Sequence, residues 1–272
     1  MSLTRTLILG FVAGATIVLG LPVGRMKTPA AQLRTLLNAL AVGVLFFLVI
    51  DVFSHAYDPI QTQLHDLHVH HGGSVGRAVL DIVLLVGGAA VGLMSLAVYQ
   101  KWARGRREAE HDASSGLEFV PTPTHLSMMI AIGIGLHNFG EGLAIGSSAR
   151  LGALGLSTVL VIGFGLHNAT EGFGIVSPLA GSQHRPSWGF LGLVALIGGG
   201  PTTLGAIVGW TWSSTTLSIL FLSLAGGSII FVICQLLYVA SRSTNPTTVY
   251  VGVCTGLLVG FLTDVIVTSA GG

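Results

Sequence analysis

The 272-residue chain predicts an all-α, polytopic transmembrane bundle of about eight helices with both termini on the extracellular or periplasmic side. Three observations predict it. Only 8% of residues are charged against 51% hydrophobic, where a soluble domain of this length carries about 25% charged residues. The mean hydropathy is +0.80. The apolar residues fall in long uncharged runs, among them Leu36–Ile50, Ile82–Gln100 and Leu151–Leu166. Runs of roughly 20 apolar residues match a bilayer core of about 30 Å, and helices satisfy every backbone hydrogen bond internally, as hydrocarbon demands.

Polar punctuation places the spans at 6–24, 35–56, 77–99, 125–148, 152–177, 188–211, 215–240 and 248–270, forming one domain over 1–272. The first run, Leu7–Leu21, follows a single Arg5 and precedes no small-residue cleavage site, so it reads as a retained helix. Most prolines, Pro59 included, sit at or beyond span ends. Pro201, in Gly198-Gly199-Gly200-Pro201, lies inside the sixth span and is expected to kink it. Nine of the twelve Lys and Arg residues fall in the loops on one side, which the positive-inside rule makes cytoplasmic. Two loops stand out. The outer tract His65-Asp66-Leu67-His68-Val69-His70-His71 holds four of the ten histidines and can gather metal weakly; the inner segment 101–123 is charged and expected to be a mobile loop. No basic cluster suits nucleic acid. Cys234 and Cys254 form no CxxC site and read as small packing residues. Trp188, Trp210 and Trp212 suit the interfacial belt.

The informative feature is a repeat. Gly135-Leu136-His137-Asn138-Phe139-Gly140-Glu141-Gly142 in span four and Gly165-Leu166-His167-Asn168-Ala169-Thr170-Glu171-Gly172 in span five both read G-L-H-N-x-x-E-G. Residues i and i+4 share a helix face, so each His stands one turn from its Glu, with the Asn leaning the same way. A short connection near Arg150 makes the two helices antiparallel neighbours, and each motif sits near the middle of its span. An acidic residue at a helix centre costs about 2.5–3.5 kcal/mol to insert. Two of them, each with a His and an Asn, imply a bound cation that offsets the cost. Imidazole suits zinc and other transition ions, and carboxylate or amide oxygens suit harder ones. Glycines allow the close backbone approach that brings the sets together.

These residues resemble the ZIP family of divalent metal transporters, most closely its prokaryotic GufA-like branch. The family's fourth-span pattern H-N-x-P-E-G is matched by His137-Asn138-Phe139-Gly140-Glu141-Gly142, and its fifth-span H-x-x-P-E by His167-Asn168-Ala169-Thr170-Glu171. Span count, outward termini and a variable loop between spans three and four fit as well. The resemblance implies a transport site of His137, Asn138, Glu141, His167, Asn168 and Glu171, in which the two glutamates can bridge a metal pair. It also favours an outer role for an aspartate late in span eight, matched by Asp264. The motif prolines are replaced by Gly140 and Thr170. Gly200 stands where many members carry a glutamate before the sixth-span proline, so the second metal position lacks a carboxylate; Gly200→Glu is expected to strengthen binding of a second ion. Around Gln235 the acidic residues of many relatives are replaced.

Asp51 and His55, at i and i+4, lie near the outer end of span two, and Asp81 begins span three. Together with Asp264 and the histidines at 65, 68, 70 and 71 they suggest an anionic outer mouth that draws cations inward. The leading expectation is therefore a non-enzymatic carrier in the cell membrane. Its cargo is a divalent ion, zinc before iron, manganese or cobalt, bound as substrate rather than cofactor and moved toward the cytoplasm. Deprotonated ligands make its transport pH-dependent. Partners beyond the ion and the lipid bilayer reduce to a homodimer. The alternative is an intramembrane zinc-dependent hydrolase, against which neither span contains HExxH. A haem protein with His137 and His167 as axial ligands is disfavoured by the adjacent glutamates.

Overall fold

The computed structural model describes residues 2–26, 31–69, 72–110, 122–150, 154–179, 185–212, 214–241 and 245–269, and the side chains of these other than 31, 34, 103–110, 154–160, 166–167 and 266–268. Among them there is no strand. Eight helices follow in order: α1 Leu3–Ala15, continued by 3₁₀ turns Thr16–Leu19 and Leu21–Arg25; α2 Ala31–Val69; α3 Val75–Glu110; α4 Pro123–Arg150; α5 Leu154–Val176; α6 Trp188–Thr211; α7 Thr215–Ser241; and α8 Pro246–Ser269. Among the described residues seven segments, those of α1–α4 and α6–α8, are long and apolar enough to cross a membrane. The chain is a polytopic α-helical membrane protein. The end carrying Leu3 and Ser269 is called outer below, following the charge rule.

The helix starts are written in short-range chemistry. Ser2, Thr122, Ser187, Ser214 and Asn245 each accept a hydrogen bond from the backbone N–H three residues on, as N-caps do. Pro123 and Pro246 open their helices, where a missing N–H costs nothing.

Three sequence expectations need correction. The histidine tract is not a loop at its start: α2 runs unbroken through Pro59 to Val69, carrying His65 and His68 on exposed turns. Ile60 on that stretch is fully buried, so the extension is an amphipathic helix of good formers such as Gln and Leu. Likewise Lys101–Glu110 continues α3, as its Lys, Ala, Arg and Glu content favours; residues 111–121 lie outside the described residues. Cys234 and Cys254 are exposed rather than packed inside. A bundle in lipid turns apolar residues outward as freely as inward, so hydrophobicity alone does not sort them.

The helices fall into two groups. One contains α1, α4, α5 and α6; the other contains α2, α3, α7 and α8. Glycines set the intimacy within each. A Cβ on Gly142 would lie 2.1 Å from the Thr202 carbonyl oxygen, and one on Gly256 would lie 2.1 Å from that of Leu40. Registers that advance together, 142 with 202 then 146 with 206, and 39 with 252 then 43 with 256, make α4/α6 and α2/α8 parallel pairs. Amides tie the second group further: Asn38 donates to the Leu236 carbonyl, and Gln100 and Gln235 exchange hydrogen bonds of 3.2 and 3.0 Å.

Candidate metal centre

The repeat positions its side chains by helix geometry alone. On α4, His137 and Glu141 are one turn apart, and the Nε2 to Oε1 distance is 3.3 Å. From α5, Glu171 presents Oε1 at 3.7 Å from the same nitrogen. One imidazole nitrogen thus faces carboxylates from two helices. Relative exposures of 2%, 4% and 1% for His137, Glu141 and Glu171 exclude bulk water from the trio. Both His137 nitrogens, Glu141 Oε2 and both Glu171 oxygens are enclosed with no hydrogen-bond partner. Buried acceptors without donors are rare in native structures because each forfeits its hydration.

The two asparagines have an additional role that the spacing did not reveal. Asn138 Nδ2 donates to the Gly198 carbonyl on α6 at 3.0 Å. Asn168 Nδ2 donates to the Ala13 carbonyl on α1 at 2.9 Å. Four residues on in each motif, the final glycine meets the carbonyl four residues on in the partner. A Cβ on Gly142 would collide with the Thr202 oxygen, and one on Gly172 would stand 1.9 Å from that of Ile17. The repeat is therefore a docking element used twice: α4 locks onto α6 as α5 locks onto α1, by an Asn tether and a glycine contact one turn later. One N–H of each amide is so engaged, and the Oδ1 atoms of Asn138 and Asn168, the atoms a cation could use, are buried and unpartnered.

Of the six residues expected to converge, His137, Glu141 and Glu171 do. Asn138 and Asn168 are fully buried beside them in sequence and fixed as described. His167 is helical, and its side chain lies outside the described residues. Among the described residues, no group of three or more His, Cys, Asp or Glu encloses a ready-made metal position; the trio stands with the imidazole nitrogen directly against the carboxylates.

Gly200 does not stand where a second metal ligand would. A Cβ there would meet only Leu196, at 3.4 Å. Leu193, Leu196 and Leu204, on the same stripe of α6, are 47%, 68% and 58% exposed. A glutamate at 200 would point along this outer face, away from Gly198 and the Asn138 tether. Contrary to the sequence expectation, a glutamate there would not recruit a second ion.

Toward the outer end, His55 Nδ1 lies 3.4 Å from Asp51 Oδ1 on α2. Asp264 stands on α8, the helix packed in parallel against α2. His65 and His68 are further out on α2, and His70 and His71 lie outside the described residues. Asp81 is not part of the mouth. It is fully buried on α3, where its Oδ2 accepts from Gln63 Nε2 at 2.8 Å. Gln63 carries no sequence signal for this role, because its stretch of α2 lies past the apolar run.

No protein-family model matches the chain, and no curated protein matches it either.

Proposed function

We propose that the protein is a carrier of divalent transition-metal ions, zinc foremost, across the cell membrane toward the cytoplasm, working in the manner of the ZIP transporters its repeat resembles. One observation carries this reading: an imidazole and two carboxylates from two helices meet in the buried interior, with most of their acceptor atoms unpartnered. Apolar surroundings make such a set costly unless a cation joins it. Zinc ligand distances of about 2.0–2.2 Å place neighbouring donors of a tetrahedral shell roughly 3.3–3.5 Å apart. Donor spacings of 3.3 and 3.7 Å are close to that requirement.

The steps follow from the arrangement. Asp51 and Asp264 raise the local cation concentration at the outer mouth, where His55 stands 3.4 Å from Asp51 as a further nitrogen donor. His137, Glu141 and Glu171, with the Oδ1 atoms of Asn138 and Asn168 as further donors, replace the ion's water shell. Release toward the other side requires one helix group to move against the other, a general transporter solution. Packing supports the division. Every described glycine whose Cβ would come within 3 Å of another helix's backbone does so inside one group. Across the seam between groups the corresponding contacts are to side chains, such as Leu222 beside Gly140 and Val232 beside Gly133.

The test is uptake by the purified protein in vesicles carrying a zinc-sensitive dye, with a competition panel of divalent ions. Zinc is expected to enter and to be competed by iron, manganese or cobalt but not by magnesium. Tightly retained zinc with no flux would favour the hydrolase alternative instead.

A further inference from the structure

We infer that the protein holds an amine-bearing phospholipid headgroup, of the phosphoethanolamine type, in a polar cavity at the outer seam between its two helix groups. The cavity has a volume of about 360 Å³ and is separate from the metal centre. Gln63 of α2 with Arg77 and Asp81 of α3 form one wall; Trp212, just past α6, and the start of α7 at Ser214, Thr215 and Thr216 form the other.

The first wall demands a donor-bearing cation. Asp81 is 0% exposed, and its Oδ2 is bonded to Gln63. Its Oδ1 and the Oε1 of Gln63 are enclosed with no hydrogen-bond partner. Two adjacent acceptors without donors match a primary ammonium, which carries three N–H groups, and do not match a quaternary ammonium, which carries none.

The second wall, with Arg77, suits an anion. Ser214 accepts from Leu217 N–H, which places it at the N-cap of the 27-residue helix α7. The N–H groups of Thr215 and Thr216 then have no intrahelical acceptor, and phosphate is a natural ligand at such a helix start. The Arg77 guanidinium makes no ion pair with Asp81; the ion pairs among the described residues all lie elsewhere. One site therefore offers a free positive group and a buried negative one, a single turn apart on α3. A zwitterion with an ammonium and a phosphate answers both.

The lipid, rather than a soluble zwitterion, follows from what adjoins the cavity. The helix that carries Arg77 and Asp81 turns its opposite face, Val79, Val83 and Val86 at 53%, 59% and 64% exposed, outward as an apolar stripe, so the cavity opens on a lipid-facing part of the bundle. Trp212, 67% exposed, marks the interfacial level where a headgroup sits.

The experiment is native mass spectrometry of the full chain in detergent, with phosphatidylethanolamine, phosphatidylcholine and phosphatidylglycerol titrated separately and no metal added. It is therefore read independently of transport. Phosphatidylethanolamine is expected to bind about tenfold more tightly than phosphatidylcholine. Asp81→Asn should erase that preference while leaving phosphatidylcholine unchanged, and Gln63→Leu should narrow it if Asp81→Asn fails to fold. Arg77→Gln, at an exposed position, should weaken all three lipids. Equal retention of the ethanolamine and choline lipids by the unmodified protein would overturn the proposal, as would a preference that survives both acceptor variants. Soluble phosphoethanolamine displacing the lipid at equal concentration would overturn the lipid assignment. Calcium bound through Asp81 in place of the lipid would do the same.

Discussion

At the residue scale, the polar side chains of the repeat divide into a converging trio and two struts. His137, Glu141 and Glu171 gather on one point, whereas the amides of Asn138 and Asn168 reach outward to backbone carbonyls of α6 and α1. The i, i+4 spacing made the His–Glu face legible in the sequence. The asparagine tethers were not legible, because their acceptors are backbone atoms 60 and 155 residues away and carry no side-chain signature. The division predicts different phenotypes. Asn138→Ala removes one buried hydrogen bond, worth about 1 kcal/mol, and should lower the thermal stability measured in detergent. Glu171→Gln removes a charge whose burial costs about 2.5–3.5 kcal/mol, and should leave stability unchanged or raise it. Equal losses of stability in the two would argue against separate roles.

At the scale of elements, hydropathy located all eight helices because the bilayer imposes length and polarity together. It failed at helix ends beyond the membrane, where nothing apolar marks the continuation: α2 and α3 extend through segments read as loops. On α6 it is the family resemblance that misleads, by putting a metal-facing position before Pro201. The open space around Gly200 and the exposed Leu196 place it on the outer face. Two substitutions follow. Gly200→Glu should leave metal stoichiometry in equilibrium dialysis unchanged and lower the yield of folded protein, since a carboxylate on that face meets lipid. Gly172→Ala drives a methyl into the Ile17 carbonyl and should prevent close docking of α5 on the α1 segment. It should cost more stability than Gly140→Ala, whose methyl meets only the flexible end of Leu222.

At the scale of the whole molecule, backbone-tight packing inside each group and side-chain packing between them define a seam. None of this was legible in the sequence, where the glycines are spread through nearly every span and their partners are unmarked. A disulfide across the seam should arrest transport, and one inside a group should not. Gly133 and Ser228 lie across it, a Cβ on Gly133 being 3.6 Å from Ser228 Oγ; Gly165 and Thr16 form the control inside one group, with the matching distance 3.8 Å. In protein with Cys234 and Cys254 replaced by alanine, oxidation of the Gly133→Cys/Ser228→Cys pair should stop uptake and reduction should restore it. The Gly165→Cys/Thr16→Cys pair should transport in both states.

The most direct measurement compares zinc entry into vesicles for the unmodified protein with His137→Ala, Glu141→Gln and Glu171→Gln, each first shown to be folded. All three variants are expected to fall to the rate of protein-free vesicles, because each withdraws one of the groups proposed to replace the ion's water. Entry at the unmodified rate in any two of them would contradict the assignment of this trio as the path of the ion.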